Sequence, residues 1–315
     1  MNTQAYRPEG FVSAGADIRE YYYSQNTLEK AAATGKILEA RTTLCDSEFS
    51  LHVDLGSMKG KIPKSEAVYN VSGEEVKDIA VITRVGKIVC FKVIGFEVQG
   101  EETVAILSRR EAQRDCLENH LMQLLPGDVI DARITHLEPF GAFVDIGCGV
   151  ISLLSIDCIS VSRIAHPRDR FYAGMPIKAI IKSIDREHSR IYVSHKELLG
   201  TWEENVSRFE IGQTVAGTVR SIEPYGIFVE LAPNLAGLAE YRESVSVGQR
   251  AAVYIKNIIP ERMKLKLVII DSYKGENEPK RQCVGYPPDV THIDVWNYSP
   301  KGCSKNIVSD FTTET

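Results

Sequence analysis

Two stretches of the sequence align without a gap and decide the fold: GDVIDARITHLEPFGAFVDIG from Gly127 to Gly147, and GQTVAGTVRSIEPYGIFVELA from Gly212 to Ala232. The motif EPFG at Glu138–Gly141 falls on EPYG at Glu223–Gly226, and in each stretch a second aromatic follows the glycine by two residues. Similarity repeated within one chain is the signature of a protein built from copies of one structural unit. The sequence therefore predicts at least two such copies.

The match continues beyond these stretches. GMPIKAIIKSI from Gly174 aligns with GQRAAVYIKNI from Gly248, and RIYVS from Arg190 aligns with KLKLV from Lys264. The segment that includes SRIAHPRDRF in the earlier copy has no counterpart in the later one. The later copy is therefore predicted to be a shortened version of the same unit.

A third and weaker copy precedes these two. FSLHVDLG from Phe49 aligns with FGAFVDIG from Phe140, GKIVCFKVI from Gly86 replaces GMPIKAIIK, and AILSRREA from Ala105 aligns with IYVSHKEL. This copy has His52 where the other two carry their second aromatic. We expect the first copy to keep the fold and to lose part of the function.

Each copy has the apolar pattern of short β-strands separated by glycine and proline. In the middle copy the predicted strands contain Val129 to Leu137, Phe143 to Ile146, Val150 to Leu154, Ile177 to Ile184 and Ile191 to Val193. Five short strands in roughly 70 residues fit a small closed barrel better than a sandwich, because closure removes exposed strand edges. The fold class is therefore mainly β, with tandem five-stranded barrels.

The segments between the copies change their apolar period. Ser108–Leu124 is charged, amphipathic and free of glycine and proline, which predicts a helix. Glu197–Phe209 indicates a shorter helical connector, and Thr27–Ala33 begins a similar helix before the first copy. We predict an N-terminal extension with a short helix over residues 1–34, a degenerate repeat over 35–112, a helical linker over 113–125, the best-matching repeat over 126–198, a linker over 199–209, a shortened repeat over 210–273 and an irregular tail over 274–315.

The net charge of −5 and the pI near 5.9 argue against tight binding of duplex nucleic acid, which needs a basic face. Single strands remain possible ligands, since base stacking on aromatic side chains supplies much of their binding free energy.

No apolar run has the length of a membrane helix, and the first twenty residues lack the apolar core of a secretory signal. The seven cysteines form no C-x-x-C pair and suit reduced thiols in a cytoplasm.

The sequence shows no catalytic motif. The histidines form no metal-binding pair of the usual spacing, and Cys283, His292 and Cys303 are too widely spaced to indicate a metal site. Because barrels and connectors account for most of the chain, no segment of catalytic-domain size remains. We expect no enzyme activity, no cofactor, no metal, no small-molecule substrate and no membrane partner.

The middle copy resembles the S1 RNA-binding domain, an OB-type barrel named after the largest protein of the bacterial small ribosomal subunit. The motifs that carry the resemblance are Gly127–Val129, Pro139–Val144, His166–Pro167 and Arg190–Ser194. The spacers SRREAQRDCLE and SHKELLGTWEENV also resemble the connectors of the ribosomal protein S1 family, and the order of copies is similar to its shortened Firmicute members. The resemblance covers about Ala31 to Asp271, and the sequence departs from it where many S1 domains carry a loop histidine, since Ser155, Glu240 and Pro63 stand there.

This resemblance implies that RNA crosses one face of each barrel. From spacing alone, one ring of each aromatic pair fits the core as well as the surface; the resemblance favours a platform on which bases stack. The implied RNA-binding residues are the aromatics Phe140, Phe143, Tyr225 and Phe228, the cations Lys178, Lys182, Arg190, Lys256 and Lys264, and the acceptor Asp185. We expect the middle copy to bind RNA best and the first copy worst.

The resemblance also implies partners. They are single-stranded mRNA and the small ribosomal subunit, the latter through the degenerate repeat over residues 35–112. Two alternatives remain open on the sequence alone: a regulatory or stress-linked RNA-binding factor that is no stable ribosomal component, and a protein-docking scaffold.

Overall fold

The computed structural model describes residues 6–11, 20–22, 24–71, 73–273, 286 and 289–312. Within these residues the chain forms three closed barrels of five strands each. The first barrel contains β1 Leu38–Cys45, β2 Leu51–Asp54, β3 Lys59–Ile62, β4 Ile88–Gln99 and β5 Glu102–Ser108. The second contains β6 Val129–Glu138, β7 Gly141–Asp145, β8 Ile151–Ser155, β9 Pro176–Asp185 and β10 Arg190–Ser194. The third contains β11 Thr214–Glu223, β12 Gly226–Ala232, β13 Leu235–Ala239, β14 Arg250–Ile259 and β15 Lys264–Tyr273. The predicted fold of tandem five-stranded barrels is confirmed.

The barrels share one connectivity. Their first three strands form an antiparallel meander, the third strand pairs in parallel with the fifth, and the fourth closes the barrel onto the first. Successive side chains of a strand point to opposite faces, so on β7 Ala142 and Val144 enter the core while Phe143 points outward. Each barrel therefore buries one apolar set and presents the other set of side chains on its outer surface.

Among the described residues, four α-helices lie outside the barrels: α1 Gln25–Thr34, α2 Asp78–Ile82, α3 Arg109–Asn119 and α4 Trp202–Val206. Helix α1 begins at the N-cap Ser24 and ends at Gly35, whose φ of +61° suits glycine. Its Leu28 and Ala31 are buried in the core of the first barrel. The helix predicted before the first copy is therefore present and covers that barrel.

Both connectors contain shorter helices than the sequence pattern predicted. Helix α3 ends at Asn119 because His120 leaves the helical conformation, with φ −131° and ψ −67°, and a short 3-10 turn follows. In the second connector a 3-10 turn over Lys196–Leu199 is separated from α4 by Gly200, which has a φ of +80°. Amphipathic spacing predicted that these segments are helical, but it does not show the residue at which the backbone leaves the helix.

The prediction of an irregular tail over residues 274–315 needs correction for the part that the structure describes. Strands β16 Val295–Asn297 and β17 Val308–Asp310 form a two-stranded antiparallel sheet. Trp296 and Tyr298 are buried against the core of the third barrel, and the hydroxyl of Tyr298 donates to the backbone oxygen of Asn234. The burial of two large aromatic side chains orders this segment despite its polar composition.

Residues 6–11, called here the N-terminal strap, cross the junction between the first two barrels. Glu9 forms a buried ion pair with Arg109 at 2.6 Å, and its backbone N–H donates to Asp145 of β7 at 2.8 Å. The N–H of Gly10 donates to Glu39 of β1 at 3.0 Å. The strap therefore joins both barrels through buried polar contacts.

A second, partly buried ion network holds the junction between the second and third barrels. Arg170, from the loop between β8 and β9, donates to both carboxylate oxygens of Glu230 on β12, at 3.0 Å to one of them. Arg220 of β11 donates to the same carboxylate at 2.7 Å and pairs with Asp169 at 3.2 Å. Two arginines thus share one glutamate, and they come from different barrels.

In the described part of the chain, no helix has the length and apolar character needed to cross a membrane.

Candidate nucleic-acid interface

The two aromatic residues of the second barrel form an exposed pair. Phe140 lies in the turn before β7 and is 55% exposed, while Phe143 on β7 is half-buried. Their ring centroids are 6.1 Å apart, with the rings perpendicular. A side chain on Gly141 would collide with the backbone oxygen of Leu154, so glycine permits β7 and β8 to approach here. Neither ring belongs to the buried core, which leaves both available to a ligand.

Strand register extends this pair into a row across the barrel. Phe143 lies opposite His136 of β6 on one side and Leu153 of β8 on the other, and Leu153 pairs with Tyr192 of β10, which lies opposite Ser183 of β9. The rings of His136 and Phe143 are stacked at 6.4 Å, and Tyr192 is 40% exposed. The outer face of the second barrel therefore carries three aromatic rings and a leucine in one continuous row.

The sequence reasoning missed His136 and Tyr192. Tyr192 follows Arg190 by two residues on β10, so strand alternation alone places both on one face. His136 was harder to find, because a β-bulge between Ile134 and His136 shifts the register of β6 against β7. The sequence does not show which strands are neighbours in the barrel, and this pairing is what places His136 and Tyr192 in the row.

The third barrel repeats the arrangement with different chemistry. Tyr225 is 68% exposed, and its ring lies perpendicular to that of Phe228 at 6.2 Å. The row runs through Ser221, Phe228, Leu238, Lys266 and Asn257. Lys266 occupies the place of Tyr192, and the sequence reasoning missed it too. This platform therefore has two rings and one more cation than its counterpart.

Several predicted cations lie at the end of these rows. Lys182 lies in a β-bulge next to Ser183, the last residue of the row in the second barrel. Lys256 lies in the equivalent bulge next to Asn257, the last residue of the row in the third barrel. Arg190 and Lys264 precede the row residues of β10 and β15 by two positions and therefore lie on the same outer face. All four side chains are exposed. The structure brings them to the edge of the aromatic platforms.

Two predicted residues have other surroundings. Lys178 lies opposite Asp131 and pairs with it at 3.3 Å. Asp131 is five residues from His136 along β6, or roughly 16 Å at the rise of a strand, so Lys178 is not part of the row. Asp185 caps the turn between β9 and β10, where the backbone N–H of His188 donates to it and holds its pKa below the usual value.

The corresponding face of the first barrel is different. Its row runs through Leu44, His52, Lys61, Ile106 and Gly95. Ile94 takes the place of Lys182 and Lys256, and Val104 takes the place of Arg190 and Lys264. His52 is hydrogen-bonded to Asp46 at 2.9 Å. The first barrel therefore keeps the fold but lacks both the aromatic platform and its cations.

An apolar groove adjoins this face of the first barrel. Its apolar lining is Leu44, Phe49, Ile82 and Val85, and Thr43, Cys45 and Asp46 complete it. Leu44, Ile82 and Val85 are exposed although they are large and apolar. Lys64 lies 5.5 Å from the ring of Phe49. Exposed apolar side chains grouped in this way are typical of a protein-binding surface.

The described residues contain no group of three metal-binding side chains. Of the three tail residues considered above, Cys283 lies outside the described residues, and His292 is hydrogen-bonded to Asp128 and Asp294.

The comparisons with known proteins agree with this architecture. Residues 124–196 match the family model of the S1 RNA binding domain. The chain is 32% identical over 275 residues to small ribosomal subunit protein bS1 of Staphylococcus aureus, a match that covers 82% of this chain and 66% of that protein. It is 30% identical over 257 residues to the bS1 homolog of Bacillus subtilis, covering 79% of this chain and 63% of that protein.

Among solved structures, a multidomain protein with nucleic acid binding domains from Streptococcus pneumoniae shares 14% identity, covering 78% of this chain and 76% of that one. Its TM-score of 0.25 is too low for any comparison of domain arrangement. The chain spans slightly less than two thirds of the length of the two bS1 relatives. The S1-domain match, the repeated barrels and the identity across most of the chain agree, and the chain therefore belongs to the S1 protein family.

Proposed function

We propose that this protein binds single-stranded RNA through its second and third barrels and brings mRNA to the small ribosomal subunit. The observation that carries the proposal is the exposed row of His136, Phe143, Leu153 and Tyr192, with Phe140 beside it. Any base can stack on the face of an aromatic side chain, and each such stack contributes on the order of 1–3 kcal/mol to the binding free energy. The ligand is therefore a single strand, bound with little sequence preference.

The charge of the protein favours a stacking mechanism. The net charge of −5 argues against binding that depends mainly on the release of counterions from the RNA phosphates. Lys182, Arg190, Lys256 and Lys264 at the platform edges hold the phosphate backbone locally. Unpaired bases then supply the larger share of the binding free energy.

We assign contact with the small subunit to the first barrel. Its outer face has lost the aromatic and cationic residues of the other two barrels and instead exposes the groove lined by Leu44, Phe49, Ile82 and Val85. The curated relatives are small ribosomal subunit proteins by name. A barrel that docks to the subunit while the other two hold RNA fits both observations.

The protein is proposed to act in the cytoplasm, without catalysis, cofactor or small-molecule substrate. Its relatives are ribosomal proteins, and the resemblance to S1 domains accounts for most of its length. Incubation of labelled RNA with the purified protein tests this point. Intact RNA after prolonged incubation is the expected result, and shortened products that depend on the protein would contradict it.

Sedimentation with small ribosomal subunits at moderate salt tests the ribosomal part of the proposal. The intact chain is expected to pellet with the subunits, and Leu44→Asp/Ile82→Asp in the groove is expected to abolish this while RNA binding is unchanged. The matched control is Val98→Asp, since Val98 is also exposed on the first barrel but lies outside the groove. If the wild type binds RNA but never pellets, the protein is a regulatory RNA-binding factor. If it pellets without binding RNA, it is a docking scaffold.

A further inference from the structure

The platform of the third barrel differs from that of the second in the two residues that end its row. In the second barrel these residues are Tyr192 and Ser183, and in the third barrel Lys266 and Asn257 take their places. Tyrosine and serine hydroxyl groups both donate and accept hydrogen bonds, whereas the ammonium group of lysine only donates. The two platforms therefore offer different hydrogen-bonding groups to the edge of a stacked base.

Asn257 also presents donors to a ligand. Its side-chain oxygen accepts the backbone N–H of Ile258 at 2.9 Å. Because a backbone N–H only donates, this contact identifies which end of the amide is the oxygen. The NH2 group at the other end, which carries two donors, is what remains for a ligand.

Lys266 and Asn257 are neighbours in the sheet. They lie opposite each other on β15 and β14, and Lys266 is exposed while Asn257 is half-buried. Opposite side chains in such a pair have Cβ atoms roughly 5 Å apart. Among the residues that the structure describes, no carboxylate forms an ion pair with Lys266. Both side chains can therefore donate to a single acceptor atom.

The apolar part of the platform brings a base to these donors. Phe228 lies opposite Leu238, and Leu238 is the neighbour of Lys266 in the row. Adjacent strands are about 4.8 Å apart, so Lys266 lies two strands, or roughly 10 Å, from Phe228. The flexible stem of a lysine spans much of that distance. A base stacked on Phe228 and Leu238 therefore has one edge within reach of Lys266 and Asn257.

The bases differ in what this edge offers. Uracil and guanine carry a carbonyl oxygen where cytosine and adenine carry an amino group. A carbonyl oxygen has two lone pairs and can accept from two donors, whereas an amino group placed against a donor leaves both without a partner. The bases of a single strand expose these edges to side chains. Two adjacent donors on the platform thus favour bases with the carbonyl group.

We infer that Lys266 and Asn257 make the third barrel select uracil and guanine over cytosine and adenine. This inference rests on the proposed RNA binding and adds a choice of base to it. The row of the second barrel ends with hydroxyl groups and does not make this choice. The molecule thus holds any single strand on the second barrel and selects among bases on the third.

The full chain carrying Phe140→Ala/Phe143→Ala, called here the parent variant, tests the inference because its intact platform is that of the third barrel. The probes are labelled oligouridine and oligocytidine of about ten nucleotides, a length within the site size of one OB barrel. Uracil and cytosine have rings of the same size, so the ratio of the two affinities reports the base edge and not the stacking area. Fluorescence anisotropy at low salt is expected to show about tenfold tighter binding of oligouridine, the effect of hydrogen bonds that include a charged donor.

Further substitutions in the parent variant show whether the two donors carry the choice. Lys266→Met keeps the length of the stem and removes the ammonium group, so it is expected to reduce the ratio to about twofold. Asn257→Asp keeps an acceptor for Ile258 and replaces the NH2 group by an oxygen, so it should also reduce the ratio. Lys264→Met is the matched control, since it removes a cation of the same strand at the platform edge. It should weaken the binding of both oligonucleotides equally and leave the ratio unchanged.

Equal binding of the two oligonucleotides by the parent variant would overturn the inference and leave the proposed function intact. A ratio that survives both Lys266→Met and Asn257→Asp would overturn it as well. So would a parent variant that binds neither oligonucleotide while the wild type binds oligouridine, because the third barrel would then hold no RNA. If the wild type also binds neither, the proposed function fails together with the inference.

Discussion

At the scale of single residues, the platform depends on side chains that alternate on outward-facing strand positions. The aromatic pairs Phe140/Phe143 and Tyr225/Phe228 could be predicted because a repeated motif aligned them. The place of Tyr192 in the platform could not be predicted from the repeat, because its neighbours across the sheet, Leu153 and Ser183, lie on other strands. A one-dimensional pattern shows which side of a strand a residue occupies, but not what lies beside it.

Replacement of Tyr192 is the first residue-scale prediction. Tyr192→Ala is expected to weaken binding of a U-rich single strand by about 1–3 kcal/mol, because one stacking surface is lost. Tyr254→Ala is the matched control, since Tyr254 has similar exposure but lies opposite Thr214 and Val268, outside the platform row. Fluorescence anisotropy measures both variants. Equal losses for the two variants would show that the row has no special role.

The cations give a second residue-scale prediction. Lys182→Ala is expected to reduce the slope of log K against log salt by about 0.7, the value for one phosphate contact on a single strand. Lys178→Ala is expected to leave the slope unchanged, because Lys178 is paired with Asp131 and lies away from the row. A salt titration of each variant compares the two. A larger effect of Lys178 would place the RNA on a different face of the barrel.

At the scale of elements, the barrels were easier to predict than the segments that join them. Strand alternation and the repeat identified all three barrels, while Gly200 and His120 ended helices at points that the amphipathic pattern continued through. The ordered tail was missed because its strands β16 and β17 have three residues each. Segments this short are ordered by tertiary contacts, not by their own propensity.

The shared glutamate at the second junction gives an element-scale prediction. Glu230→Gln is expected to destabilise the protein by about 3 kcal/mol, because it leaves the buried guanidinium group of Arg170 without its counterion and leaves Arg220 with Asp169 alone. Urea unfolding measures the change, with Glu240→Gln as a surface control on the same barrel. A loss below about 0.5 kcal/mol, typical of surface substitutions, would mean that the two barrels do not depend on this contact.

At the scale of the whole molecule, one fold has been used for two purposes. The second and third barrels keep aromatic rows and edge cations, while the first has Ile94, Val104 and Ile106 at the matching places. The sequence predicted the weak first copy from His52, which stands where the other copies carry their second aromatic. It could not show the apolar groove, because Leu44 and Ile82 belong to segments that are brought together only by the closed barrel.

The pH dependence of stability is a prediction for the whole chain. His195 is fully buried between Ile159, Phe171 and Tyr286, and burial lowers its pKa from 6.5 to about 4. The unfolded chain therefore binds a proton between these values that the folded chain does not, so stability is full above pH 6.5 and falls as the pH drops towards 4. His195 is therefore expected to contribute a loss of about 2–3 kcal/mol between pH 7 and pH 4.5, measured as the difference from a variant that lacks it.

Urea unfolding at a series of pH values checks this expectation. The variant His195→Gln has no group that titrates in this window at that position, so its profile should be flatter than that of the wild type by the same amount. Parallel profiles for the two proteins would show that folding does not lower the pKa of His195.

The most direct test of the central claim is the fluorescence anisotropy of a labelled U-rich single strand titrated with wild type and with Phe140→Ala/Phe143→Ala, alongside Phe49→Ala in the first barrel as a control. Wild type and the control should bind in the micromolar range with a shallow salt dependence, and the double variant should lose about 2 kcal/mol or more, equivalent to about 30-fold in affinity. Equal binding by all three proteins, or no binding by any, would contradict the proposal that the aromatic face of the second barrel holds RNA.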